Sequence, residues 1–125
     1  MITNYLLSGM IGIMLFFTVV VAPTVFKVLP VEWSSKYVRK FFPKYYACLG
    51  LITTAGIFTA PDGVSKVLLA ICALLFAFTL IYLTGKINEA KDQGQSRRFH
   101  FLHGASVAIN LFQLITFIYI VVKLS

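Results

Sequence analysis

The sequence predicts an all-α integral membrane protein: a four-helix bundle with antiparallel up-down connections and an amphipathic interfacial helix between its first two spans. Composition is the first reason. Of the 125 residues 59% are hydrophobic and 12% charged, with mean hydropathy +0.89, whereas about a quarter of a soluble domain is charged. The second reason is where the charge lies. Nine of the eleven Lys and Arg (Lys27, Lys36, Arg39, Lys40, Lys44, Lys86, Lys91, Arg97, Arg98), three of the four acids (Glu32, Glu89, Asp92) and both His (His100, His103) fall in or beside two connections. The segment between them, residues 60–66, holds only Asp62 and Lys66. Four spans of about 20 residues, each long enough to cross a hydrocarbon core about 30 Å thick, fill the length. A single domain over residues 1–125 with no soluble appendage is expected.

The first span is expected over residues 3–29. No Lys or Arg precedes it, it exceeds a signal-peptide core in length, and Pro23 would follow the cut, so it reads as a retained helix. Ser8, Gly9 and Gly12 would let a neighbouring helix approach. Pro23 removes a backbone donor, and the freed carbonyl must avoid lipid. The turn Ala22-Pro23-Thr24 is therefore expected to face the bundle interior. In residues 31–42, Trp33, Tyr37 and Phe41 recur every four positions, with Lys36, Arg39 and Lys40 turned away. That pattern fits a helix lying at headgroup level, or an extension of span two bent at Pro43. Span two follows over 44–60, with Ala47, Gly50 and Thr54 as its expected packing seam. Pro61-Asp62-Gly63 is a tight turn, so span three (64–87) must be its antiparallel neighbour, packing through Ala70, Ala73 and Ala77. A polar connection leads to span four over 99–122.

The net charge of +7 does not point to nucleic acid, because the cations flank spans and are mixed with aromatics. Anionic lipid headgroups of the bilayer account for that pattern. The positive-inside rule then places the charged end in the cytoplasm and both termini outside, in a bacterial inner (plasma) membrane. Cys48 and Cys72 lie inside apolar runs without CxxC spacing, so two buried thiols are expected.

Span four carries His103, Ser106, Asn110 and Gln113 within an arc of roughly 80°. Polar groups at that depth need partners inside the bundle. Either they hydrogen-bond across helices or they line a ligand path. Span three ends in Thr84, Asn88 and Asp92 on one side. An acid at a helix C-terminus opposes the dipole, which calls for a cation, and Arg39, Lys44 and Tyr45 are the partners at hand. His100 and His103, three apart on one helix, could share a metal ion with Asp92 or Glu89. They cannot be the two opposed axial ligands of one haem, so a haem would need a partner chain or only one His. Met10 and Met14 have the thioethers that copper(I) favours, but they lie roughly 10 Å or more from the His pair at 1.5 Å per residue. They read as packing.

The stretches 17–26 (FTVVVAPTVF), 39–46 (RKFFPKYY), 87–92 (INEAKD) and 99–110 (FHFLHGASVAIN) resemble, in order, the motifs of the transmembrane-protein-205-like family (domain of unknown function 4149). That family is distantly similar to the CopD-like membrane proteins, a group that includes copper-uptake proteins and a haem-dependent oxidase. The resemblance implies a four-helix membrane domain with its motif residues gathered at one end. Carried over by position these are Pro23, Thr24, Phe26, Arg39, Pro43, Tyr45, Tyr46, Asn88, Asp92, His103, Ser106 and Asn110. The CopD-like relatives place their His residues differently.

The function expected is binding or transport of a metal ion or small polar ligand in a cytoplasm-facing pocket. Its residues are Pro23, Thr24, Arg39, Tyr45, Asn88, Asp92, His103, Ser106 and Asn110, with His100, His103 and Asp92 as the metal set. A structural or accessory subunit that packs on itself as a homo-oligomer, or on a partner, is the second reading. A haem-dependent redox protein is the third. With no activated nucleophile and no phosphate-cradling loop, no catalytic residue is assigned.

Overall fold

The computed structural model describes residues 2–124. They form four long helices: α1 (Ile2–Val28), α2 (Val31–Thr59), α3 (Gly63–Asp92) and α4 (Ser96–Leu124). Three contacts fix their up-down order. Thr3 Oγ1 lies 2.8 Å from Thr59 Oγ1 and Lys123 Nζ donates to Asp62 Oδ2 at 2.7 Å. Both join helix ends at the sparsely charged side. Arg39 grips Asp92 at the other.

Two of the helices change pitch on the way. α1 widens into a π segment at Phe17–Val21, where the Ala22 N–H bonds to the Phe17 carbonyl, just before Pro23. A proline falls there at little cost, because the i→i+4 ladder is already changing register. α3 does the same at Thr79–Leu83, and Thr84 Oγ1 donates to the Thr79 carbonyl at 2.8 Å.

Leu29 precedes Pro30, which forces it to extended backbone (φ −92°, ψ 143°) and ends α1. Ser34, in the first turn of α2, donates to the Val25 and Leu29 carbonyls at 3.3 and 3.2 Å and so ties the two helix ends together. Of the two arrangements open for residues 31–42, the continuous one is found: α2 runs unbroken through Pro43. The separate interfacial helix is thus the opening turns of α2. Proline deletes a single helix bond, and the segment is held on both sides of Pro43. Before it, Phe41 stacks on Phe17 at 4.8 Å and Arg39 is anchored to α3; after it, Tyr45 lies 4.8 Å from the same Phe17 ring.

Asp62 caps α3 by accepting from the Ser65 N–H at 3.4 Å. α3 ends in a Schellman turn, with the Gln95 N–H on the Ala90 carbonyl (2.9 Å) and the Gly94 N–H on the Lys91 carbonyl (3.2 Å). Gly94 sits at φ +67°, which a side chain disfavours. This turn folds α4 back against α3.

Leu7 and Met10 of α1, Leu49 of α2, Leu69 and Cys72 of α3 and Phe117 and Ile120 of α4 are fully buried, forming the core. α2 and α3 meet closely, as a Cβ on Gly50 would lie 3.6 Å from Phe76 Cβ. The outer faces are apolar. Phe58 is 80% and Ile81 81% exposed, an arrangement that suits contact with lipid. α1, α3 and α4 are long and apolar enough to cross a membrane. α2 differs in carrying Glu32, Lys36, Arg39, Lys40 and Lys44 through its first half. The chain is a membrane protein.

Some expected packing surfaces face outward. Cys72 is buried, but Cys48 is exposed on the outer face of α2, where a thiol is apolar enough to meet lipid. Thr54 and Ala77 are exposed too, as are Ser8, Gly9 and Gly12. In each case an apolar surround serves on either face of a lipid-exposed helix, so small size alone does not choose the buried one.

Two outcomes follow from the helix ends. Gly94→Val should destabilise the protein by roughly 1–2 kcal/mol, the cost of a left-handed β-branched residue, and Gly94→Asn by clearly less, in denaturant unfolding of the purified protein. No atom lies within 4 Å of a Cβ there, so equal losses would show that the backbone is not the cause. At the opposite end, the Lys123 hydrogen bond, and then Ser65, hold the Asp62 carboxyl down to about 2. A depressed carboxyl stabilises the fold above its ordinary range near pH 4 and loses that contribution as pH falls to about 2. Wild type should therefore melt above Asp62→Asn at neutral pH, the gap closing through that window; a gap that persists at the acid end would refute the assignment.

Candidate ligand-binding site

The charged end of the bundle is not closed. α4 packs along Ile2–Phe16 of α1, but beyond the π segment the stretch Ala22–Val28 approaches only α2 among the described residues. The gap left between the end of α1 and α4 is a cavity of about 410 Å³ to which all four helices contribute.

Its walls are apolar. Met14, Phe17, Ala22 and Phe26 line it from α1, Val38 and Phe42 from α2, Ile87 from α3, and Val107, Leu111 and Leu114 from α4. Thr18, Ala22 and Phe26 are spaced four apart, one row of α1. The polar lining is sparser and concentrated at the charged end: Ser35 and Arg39 from α2, Asn88 and Lys91 from α3, His103 and Ser106 from α4. Tyr45, Tyr46 and Asn110 lie deeper.

Arg39 donates from Nη1 to Asp92 Oδ2 at 3.1 Å and from Nη2 to Asp92 Oδ1, a two-pronged grip joining α2 to α3, with the Asn88 carbonyl at 3.5 Å. Lys91 Nζ donates to Ser35 Oγ at 2.6 Å and sits 5.8 Å over the Phe99 ring. Phe99 in turn stacks on His103, with 5.9 Å between centroids. Asn110 Nδ2 donates to the Tyr46 hydroxyl at 3.1 Å, whereas its buried Oδ1 has no protein partner. Gln113, one turn further in, is fully buried and donates to the Cys72 carbonyl at 3.0 Å. Among the described residues, the ionised side chains that line the cavity are the two cations Arg39 and Lys91, and no carboxylate does.

Of the residues singled out from sequence, Arg39, Tyr45, Asn88, His103, Ser106 and Asn110 line this one space. Asp92 stands beside it as the partner of Arg39. Pro23 and Thr24 are exposed and do not line it. The expectation that their turn faces inward is corrected by the π segment: the freed carbonyl lies in a stretch of altered ladder, and Ala22 is the residue that faces in. The metal set is not brought together either. Among the described residues no three His, Cys, Asp or Glu converge as an ion requires. His100 is exposed and off the cavity, Asp92 is taken by Arg39, and Glu89 lies 3.7 Å from Lys86.

Phe17, Thr18, Ser35, Phe42 and Lys91 also line the cavity, though the sequence assigns none of them a site role, and so does Met14, which it reads as packing. Phe17, Thr18, Phe42 and Lys91 sit within the motif stretches 17–26, 39–46 and 87–92. Lys91 looked like part of an aqueous connection, since nothing in its neighbourhood tells that the Schellman turn directs it back over Phe99.

No curated protein and no solved structure matches the chain. A family model described as a domain of unknown function (DUF4149) matches residues 5–96, which takes in nearly all of α1, all of α2 and α3, and the turn into α4. His103, Ser106 and Asn110 follow the matched stretch. On that match over most of its length, with the all-helical architecture described above, the chain belongs to the DUF4149 family.

Proposed function

We infer that the protein crosses the membrane four times and holds a small amphipathic ligand in the cavity at its charged end. The observation that carries this reading is the cavity itself. A space of about 410 Å³, apolar-walled with a few convergent polar groups, has the size and character of small-molecule sites. The apolar part of α2, from Tyr45 to Thr59, is about 22 Å long at 1.5 Å per residue. Phe41, Phe42 and the stems of Lys40 and Lys44 extend it to the interface. The positive-inside rule supports a cytoplasmic charged end with both termini outside, as in a bacterial inner membrane.

Two cations and no carboxylate in the lining favour an organic ligand over a metal ion. The haem reading has little support from the same surface, because His103 is the one imidazole on it. Val107 is half exposed and lines the cavity, so Val107→Phe narrows the space without opening the core. Dodecanol should raise the thermal midpoint of the detergent-solubilised wild type and leave Val107→Phe unmoved, the two having equal helicity. If neither dodecanol nor another twelve-carbon amphiphile shifts the wild type, the cavity is not a ligand site.

A subunit role is favoured by one observation. Ser8, Gly9 and Gly12 form an uncovered patch on α1, and no atom lies within 4 Å of a Cβ at Gly9 or Gly12, leaving room for a second helix to pack closely. Crosslinking in native membranes through a cysteine at Gly9 should give a larger adduct that Gly12→Leu abolishes. Monomer alone would remove this reading.

A further inference from the structure

We propose that the ligand of this cavity is a single-chain amphiphile with an anionic head, a carboxylate or a phosphate, that enters sideways between the end of α1 and α4. The proposal rests on the cavity being a ligand site, and it adds the charge, the chain number and the route.

Charge comes from the lining. Lys91 has three donors and spends one on Ser35, while the five N–H groups of Arg39 exceed the two that Asp92 takes. Both cations lie at the end where the polar lining gathers, and no lining acid competes for them. An anionic head therefore finds spare donors on both cations, with Asp92 near Lys91 but hydrogen-bonded to Arg39, whereas a cationic head meets repulsion. A neutral head gains less.

Chain number comes from volume. At about 30 Å³ per heavy group, the share of a liquid water molecule, the cavity of about 410 Å³ takes on the order of a dozen non-hydrogen groups. That suits one short chain with its head. Phe17, Phe26, Val107, Leu111 and Leu114 supply the apolar walls along which it would lie.

The route comes from the helix packing. No Cα of Ala22–Val28 comes within 8 Å of one in α3 or α4 among the described residues, and Val107 and Leu111, on the α4 side of the gap, are both lining and more than half exposed. A residue that faces cavity and lipid at once marks an opening between them. A hydrocarbon chain can thus pass from the bilayer without crossing water.

The test uses the full chain in a non-ionic detergent with four probes: dodecanoate, dodecanol, dodecyltrimethylammonium and inorganic phosphate. Dodecanoate is expected to bind about tenfold or more tightly than dodecanol, the scale of a hydrogen bond to a charged group. Phosphate alone should bind far more weakly than dodecanoate, and Val107→Phe should weaken every chain-bearing probe. Lys91→Gln is expected to bring dodecanoate and dodecanol within about twofold of each other by removing that charge. Ser35→Ala, which frees the Lys91 ammonium, should keep or strengthen dodecanoate binding even if Lys91→Gln fails to fold. Dodecanol or the trimethylammonium probe binding as well as dodecanoate overturns the anionic head and leaves the cavity reading intact. So does a preference that survives Lys91→Gln, or one lost in Ser35→Ala. Phosphate binding as tightly as dodecanoate overturns the chain. If no chain-bearing probe binds and Val107→Phe changes nothing, the cavity reading itself falls.

Discussion

Lipid supplies no hydrogen-bond partners, and the rest of this structure depends on that constraint. Every polar group in the apolar helices must be satisfied within the chain. The hydroxyls do so locally: Thr53, Thr54, Thr79 and Thr116 each donate to the carbonyl four residues back, on Leu49, Gly50, Leu75 and Phe112. Such residues are polar in sequence and silent in chemistry. The amides are too long for that solution. Gln113 reaches Cys72 on α3 and Asn110 reaches Tyr46 on α2, each bond worth about 0.6 kcal/mol in comparable membrane bundles. Their second polar atoms stay unpaired, so polar demand collects along one face of α4.

Aromatic packing turns this face into the side of a cavity. Phe17, in the π segment of α1, lies 4.8 Å from both Phe41 and Tyr45. Phe42 stacks on Tyr46, which meets Phe76, which stacks on Phe117. The chain of rings passes through all four helices, each pair adding about 0.5–1.5 kcal/mol beyond the area it buries. It fixes the α2 side of the cavity to the core. The α4 side, with Val107 and Leu111, has lipid behind it.

The bundle was legible in the sequence because length, hydropathy and charge placement all act over whole helices. Gathering Arg39, Asn88 and His103 at one depth needed only the positions of the turns. What stayed hidden depends on rotation about a helix axis. Ala22 and Pro23 are neighbours, and whether one or the other faces inward turns on about 100°, which the π segment alters. Cys48 against Cys72 is the same problem, since an apolar residue in lipid gives no sign of which side it faces. The continuity of α2 through Pro43 was equally unreadable, because the lost bond is offset by contacts from other helices.

The opening at the charged end follows from an imbalance in how the helices are tied there. α2 and α3 are joined by Arg39 and Asp92, whose side chains are 35% and 59% exposed, so the pair sets geometry more than stability. α3 and α4 are joined covalently by a Schellman turn that leaves them no room to part. α1 has neither restraint. Among the described residues, past Val21 it is held only toward α2, through Ser34 on its last carbonyls and the short link at Leu29 and Pro30. A closed bundle would need large side chains at Ala22 and Val107 to fill the space. The chain places Ala and Val there, and it turns the π segment just where α1 begins to diverge. The same pitch change that accommodates Pro23 therefore leaves the space, with two cations, Arg39 and Lys91, in its lining.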